Sequence, residues 1–182
     1  MRRYISFSTA MALYFADLAV AVAEDHGTWE LEQRRSFILT LSYKQSVSVN
    51  NQTATSELAF LCDLRNRVGL VGAILIPFDG TFESRQDPNP VLIRKKSKEF
   101  DQSDLVQKWK NGSEFLFLDV ADDVADLIAL LKERDAEPVK SVHFHFPNGV
   151  DMAQQTSNHI TVDASGFAAK FAEFEKDCSL NR

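Results

Sequence analysis

The stretch Glu57-Leu-Ala-Phe-Leu-Cys-Asp-Leu64 carries the first of only two cysteines in this 182-residue chain. Its residues alternate with the period of two that is typical of a β-strand, so Cys62 shares a face with its apolar neighbours. The second cysteine, Cys178, closes a segment of helical spacing whose apolar stripe contains Phe167, Phe171, Phe174 and Cys178. Both sulfurs therefore point into apolar surface. The pattern predicts a Cys62–Cys178 disulfide that ties a C-terminal helix to a strand, with two buried free thiols as the alternative.

The N-terminus has the organisation of a secretory signal peptide. Met1-Arg2-Arg3 is basic, residues 4–22 are mostly apolar or small, and Ala21-Val22-Ala23 fits the small-x-small cleavage pattern. We therefore predict a signal peptide over residues 1–23 and a single β-rich globular domain over residues 24–182. Asp17 is an unusual charge within such a segment, and an amphipathic helix that remains in the fold is the alternative. A signal peptide implies a periplasmic or secreted protein, in a compartment that favours the disulfide.

Composition excludes some classes of partner. The net charge of −6 gives no general reason to bind nucleic acid. No later apolar run is long enough to cross a membrane, so we expect no membrane span in the mature chain.

Short apolar segments between turn residues indicate roughly seven to nine strands, and two segments have helical spacing. We predict a mainly β (α+β) fold, an antiparallel β-sandwich-like domain with a C-terminal helix stapled to it by the disulfide. The polar residues 44–55 are interpreted as a hairpin connection or loop, with Asn50-Asn51 as its turn. Asp163 or Ser165 is the expected N-cap of the last helix.

One local basic stretch stands out on an acidic chain: Arg94, Lys95, Lys96 and Lys98, with Trp109 nearby in sequence. Such a stretch predicts a binding surface for a protein or an anionic envelope component. The alternative is an edge strand that its lysines protect from pairing with other chains.

His143 and His145 lie two residues apart on a predicted strand, so both belong to one face. A pair of this kind can supply two metal ligands, with a third drawn from His26, Asp151, His159 or Asp163. The alternative is a pair of polar residues on the solvent face. We predict no metal and no cofactor. We assign no catalytic residues, because nucleophile-elbow, zinc-protease, phosphate-loop and dinucleotide motifs are all missing from the sequence.

The order of these features resembles small periplasmic proteins of the type VI secretion-associated (VasI-like) and invasion-associated locus B groups. The features are the signal peptide, Trp29, the Cys62 strand, Val91-Leu-Ile-Arg94, Trp109, an amphipathic helix, Val142-His-Phe-His-Phe146 and Cys178. The resemblance implies a non-catalytic envelope protein, an accessory factor of secretion or virulence. Our functional hypothesis is therefore an exported protein that binds another macromolecule and is not an enzyme. The alternative is a secreted hydrolase or inhibitor-like protein with a site around His143 and His145.

Overall fold

The computed structural model describes residues 23–25, 27–35, 37–49, 52–65, 69–76, 82–84, 88–95, 104–112, 115–145, 149–151 and 159–180. Within these residues the chain forms twelve strands and two helices. The strands are β1 (Ala23–Asp25), β2 (Trp29–Arg35), β3 (Ile38–Val49), β4 (Gln52–Asp63), β5 (Gly69–Ile76), β6 (Phe82–Ser84), β7 (Asn89–Arg94), β8 (Leu105–Asn111), β9 (Leu116–Leu118), β10 (Ser141–His145), β11 (Gly149–Asp151) and β12 (His159–Asp163). The helices are α1 (Ala121–Asp135) and α2 (Phe167–Leu180).

The long hairpin of β3 and β4 lies near one end of the sheet and pairs over the full length of both strands. Its register runs from Ile38 opposite Asp63 to Val49 opposite Gln52, which leaves residues 50 and 51 as the connection. The predicted Asn50-Asn51 turn itself lies outside the described residues. Of the two interpretations of residues 44–55, a hairpin connection or a loop, the loop is wrong, because residues 44–49 and 52–55 are strand residues of this hairpin. Polar side chains stabilise this part across the strands, as when the hydroxyls of Ser46 and Thr55 lie 3.3 Å apart.

The main sheet follows one path, β1-β3-β4-β5-β9-β8-β7-β10-β12, and β2 pairs with β3 beside β1. All of these pairs are antiparallel. β6 and β11 form a separate two-stranded sheet. The sheet curves until its two ends meet. The contact is marked by a hydrogen bond of 2.9 Å, which the indole nitrogen of Trp29 on β2 donates to the carbonyl of Asp163 on β12. The predicted mainly β, sandwich-like antiparallel fold with two helices is confirmed.

The predicted Cys62–Cys178 disulfide is confirmed and joins β4 to α2, with a Cα–Cα distance of 6.1 Å. Both half-cystines are buried. The predicted apolar stripe of α2 faces the sheet, where Phe60 of β4 meets the rings of Phe167 and Phe171 at centroid distances of 5.6 and 5.7 Å. The staple therefore fastens a helix whose aromatic face already packs in the core.

The start of α2 is capped by a residue of the other helix. The carboxylate of Asp135, at the end of α1, accepts from the backbone N–H groups of Gly166 and Ala168 at 2.9 and 3.0 Å. Lys140 donates to the same carboxylate at 3.1 Å. Burial by itself raises the pKa of Asp135, but these donors outweigh it and hold the pKa below its ordinary value. The predicted capping residue Asp163 instead accepts from the backbone and hydroxyl of Ser165.

The strand number exceeds the prediction, and β8 shows why. Along β8, Gln107 and Trp109 are buried while Lys108 and Lys110 are exposed. This is a strict two-residue alternation, but its inward positions include a polar glutamine and its outward positions are lysines. The segment consequently resembles a solvated stretch when only its polarity is considered.

Candidate functional site

The predicted basic binding surface is only partly present on the outside of the molecule. Arg94 is buried at the end of β7. The ammonium group of Lys95 donates to Glu133 of α1 at 2.6 Å, and its backbone N–H donates to Asp104 at 2.6 Å. Lys96 and Lys98 lie outside the described residues. The two described members of the stretch are thus committed to contacts within the fold.

Trp109, which the sequence analysis placed on this surface, lies in the core. Its exposed fraction is 0%, and it belongs to the same hydrophobic cluster as Val91 and Phe144. A fully buried indole offers no area to a ligand on the surface, so Trp109 is removed from the candidate site. Its burial follows from the inward parity of β8, because Trp109 shares a face with buried Gln107.

The two histidines of β10 occupy one face of the strand, opposite to buried Val142 and Phe144. His143 is buried and forms a hydrogen bond with the hydroxyl of Thr161 at 3.0 Å. In the backbone register His145 lies opposite His159. Among the residues that the structure describes, no group of three His, Cys, Asp or Glu side chains could hold a metal ion. Of the other proposed ligands, the carboxylate of Asp163 is engaged by Ser165, and His26 lies outside the described residues.

A small cavity of about 240 Å³ lies at the seam where the two ends of the sheet meet. Tyr43 and Gln45 of β3 line one side, and Thr161 and Asp163 of β12 line the other. This volume is smaller than the range of roughly 300 to 1,000 Å³ that is usual for ligand sites. The cavity is therefore a weaker candidate than the groove between the helices.

A larger groove of about 620 Å³ separates α1 from α2 and lies within the usual range for ligand sites. The wall on α1 is formed by Ala121, Ala125, Ile128, Ala129 and Lys132. Three of these residues are alanines at intervals of four, so they fall on one side of the helix. Because an alanine side chain is a single methyl group, α1 leaves open space there. The wall on α2 is formed by Phe171, Phe174, Glu175, Cys178 and Ser179.

The floor of the groove depends on a β-bulge in β5. Leu61 of β4 lies opposite Gly72, but the next residue, Cys62, lies opposite Leu70, which leaves Val71 unpaired. The extra residue changes the parity of the strand. Leu70 consequently takes the same face as Cys62 and lines the groove. Val71 is 38% exposed, and Val120, which directly precedes α1, is 50% exposed.

The charged groups of the groove lie along its edges. The ammonium group of Lys132 is 4.6 Å from the ring centroid of Phe171 and 3.9 Å from the carboxylate of Glu175. Asp122 and Asp126 each follow a groove alanine by one residue, and both are exposed. Lys176 follows Glu175 on α2 and is exposed as well. The groove is thus a mostly apolar channel in which the charged lining residues, Lys132 and Glu175, face each other, with acidic and basic side chains next to the lining.

In the described part of the chain, no helix is long and apolar enough to cross a membrane. Comparison of this chain with protein-family models, with curated proteins and with solved structures found no match. The geometry of the chain is therefore the basis for inferring its function. The sequence alone does not predict the groove, although the spacing of Ala121, Ala125 and Ala129 is a visible signal.

Proposed function

We propose that this protein is an exported, non-catalytic binding protein whose binding surface is the groove between α1 and α2. The observation that carries the proposal is the size and lining of the groove, about 620 Å³ with mostly apolar walls. Apolar concave surface of this size is the usual form of a binding site on a folded domain. Val71 and Val120, the chain neighbours of the groove residues Leu70 and Ala121, add exposed apolar surface, which is typical of contact with another macromolecule.

The disulfide supports both parts of the proposal. Cys178 is a wall residue of the groove, and its bond to Cys62 fixes that wall to strand β4. A rigid wall lowers the entropy that is lost when a ligand is ordered on it. Disulfides persist in oxidising compartments, so the same bond is compatible with export. The likeness to VasI-like and invasion-associated locus B proteins points in the same direction.

The binding surface is tested by filling the groove. Ala125→Trp places an indole between the helices, whereas Ala169→Trp places the same side chain on an exposed position of α2 that does not line the groove. The ligand is the neutral apolar dye N-phenyl-1-naphthylamine, whose fluorescence rises in apolar surroundings. We expect the folded protein to bind the dye and the affinity to fall about tenfold or more in Ala125→Trp, a loss of about 1.4 kcal/mol or more. The control variant should retain the affinity of the wild type.

Two outcomes would contradict the proposal. The first is that the folded wild type does not bind the dye, and the second is that both tryptophan variants bind the dye as tightly as the wild type does. Circular dichroism spectra of the three proteins establish that a lost affinity does not come from lost structure.

A further inference from the structure

We propose that the groove receives an amphipathic helix of a partner protein whose flanks are basic. This inference rests on the proposed function, because it identifies the ligand of the same surface. It commits the site to one occupant, a helix laid along α1 and α2, and it predicts the charge of that helix.

The length of the groove fits a helix. Its wall on α1 extends from Ala121 to Lys132, which is roughly 16 Å at 1.5 Å per residue. A partner helix of the same length has about three turns and presents apolar side chains at intervals of three and four residues. Alanines at intervals of four on α1 permit close approach of a second helix, because the distance between two helix axes is shorter when the side chains at the contact are small.

The apolar contact extends beyond the groove. Val71 and Val120 are among the few large apolar side chains that are exposed in the described part of the chain. Leu118 of β9 pairs with Ala73 of β5, so continuing this antiparallel register brings residue 120 towards residue 71. Each valine is also the chain neighbour of a groove residue, Leu70 or Ala121. A helix that extends past the groove with its terminal turn would cover these valines, which a short acyl chain or a single ring would not reach.

The charges at the edge determine which helix fits. Glu175 lines the groove, and Asp122 and Asp126 follow its alanine wall. The ammonium group of Lys132 is held between Phe171 and Glu175. The exposed charged side chains of the two helices are five carboxylates and one ammonium group: Asp122, Asp126, Glu133, Glu173, Glu175 and Lys176. The helical surface that carries the groove is therefore mostly negative, as is the whole chain at −6. Lysine or arginine on the flanks of the partner helix complements this edge, whereas acidic flanks are repelled.

The test uses three synthetic peptides of roughly 18 residues, long enough to form a helix. The first has a leucine face and lysine flanks. The second has the same leucine face and glutamate flanks. The third has the composition of the first in an order without a continuous apolar face. We expect the basic helix to bind about tenfold more tightly than the acidic helix at low salt, with the difference reduced as salt is added. The scrambled peptide should bind weakly.

Matched variants locate the effect. Glu175→Lys and Asp126→Lys should each reduce the preference for the basic peptide, and Ala125→Trp should abolish its binding. Glu173→Lys is the control, since it makes the same charge change at an exposed position of α2 outside the groove.

The outcomes separate this inference from the proposed function. Equal affinity for the basic and acidic helices would overturn the charge assignment and leave the groove as the binding surface. Dye binding without binding of any peptide would mean a small apolar ligand, and the helix would be excluded. Equal binding of the scrambled and basic peptides would mean non-specific attraction. Failure of both the dye and the peptides to bind would overturn the proposed function itself.

Discussion

Removal of the disulfide gives the largest predicted loss of stability in this molecule. Cys62→Ala combined with Cys178→Ala opens a bond between residues separated by 116 positions. In the chain-entropy model, a cross-link with n = 116 lowers the entropy of the unfolded chain by about 16 cal/mol/K, which is about 5 kcal/mol at 25 °C. Domains are stable by roughly 5 to 15 kcal/mol in total. The double variant should therefore lose a third or more of its stability.

The assay is urea unfolding followed by circular dichroism, on oxidised wild type, reduced wild type and the double variant. In thermal unfolding of the same proteins, a loss of this size lowers the melting temperature by roughly 10 to 20 °C at this chain length. The dependence of the unfolding free energy on urea should also become steeper, because an unfolded chain without the cross-link exposes more surface. Reduced wild type keeps both sulfur atoms, so agreement with the double variant would assign the loss to the cross-link and not to missing volume.

Ser179→Ala is the matched control, since Ser179 is the exposed neighbour of Cys178 on α2. It should be as stable as the wild type. The reasoning would be refuted if the double variant unfolded within about 1 kcal/mol of oxidised wild type, a difference typical of an ordinary substitution.

Two further predictions concern the cap of α2 and the compartment. Asp135→Asn should destabilise the protein by about 1 to 2 kcal/mol at pH 7, because the amide keeps one acceptor but loses the charge that meets two backbone N–H groups and Lys140. Since the folded protein holds the pKa of Asp135 below its ordinary value, this stabilisation is present above about pH 4 and is lost as the pH falls further. Urea midpoints of the two proteins should therefore converge at acidic pH, and a difference that persists at pH 2 would count against the account; Asp126→Asn is the exposed control. Intact mass of protein isolated from its host's envelope should begin at Glu24 and show no free thiol until reduction, whereas a mass that includes residues 1–23 with two free thiols would exclude export.

The sequence predicts the staple because both cysteines belong to strong local patterns. Alternation places Cys62 on the apolar face of its strand, and helical spacing places Cys178 on the stripe of Phe167, Phe171 and Phe174. Packing of two apolar faces in one small domain brings the cysteines near each other, and the distance between the sulfurs is then set by the fold. The sequence does not predict strands past Tyr43, because the polar residues 44–55 are equally typical of a loop. The ladder between β3 and β4 tolerates polar residues, since both of its strands continue the register.

The candidate site was largely beyond the sequence. Basic residues and a tryptophan near each other in sequence suggested a surface, but the parity of β8 turns Trp109 inward. The groove depends on how far α1 stands from α2, and no periodicity within either helix determines that distance. The bulge at Val71, which turns Leu70 towards the groove, likewise follows from the pairing of β4 with β5. Alanine spacing on α1 becomes informative only when the facing element is known.

The most direct test of the binding surface is a methyl NMR titration of alanine-labelled protein with N-phenyl-1-naphthylamine. Aromatic rings shift the resonances of methyl groups that lie close to them. If the groove is the binding surface, the methyl signals of Ala125 and Ala129 will move with added dye, while those of exposed Ala169 and buried Ala73 will stay in place. Shifts confined to other alanines, or no shifts under conditions in which the dye is bound, would contradict the account.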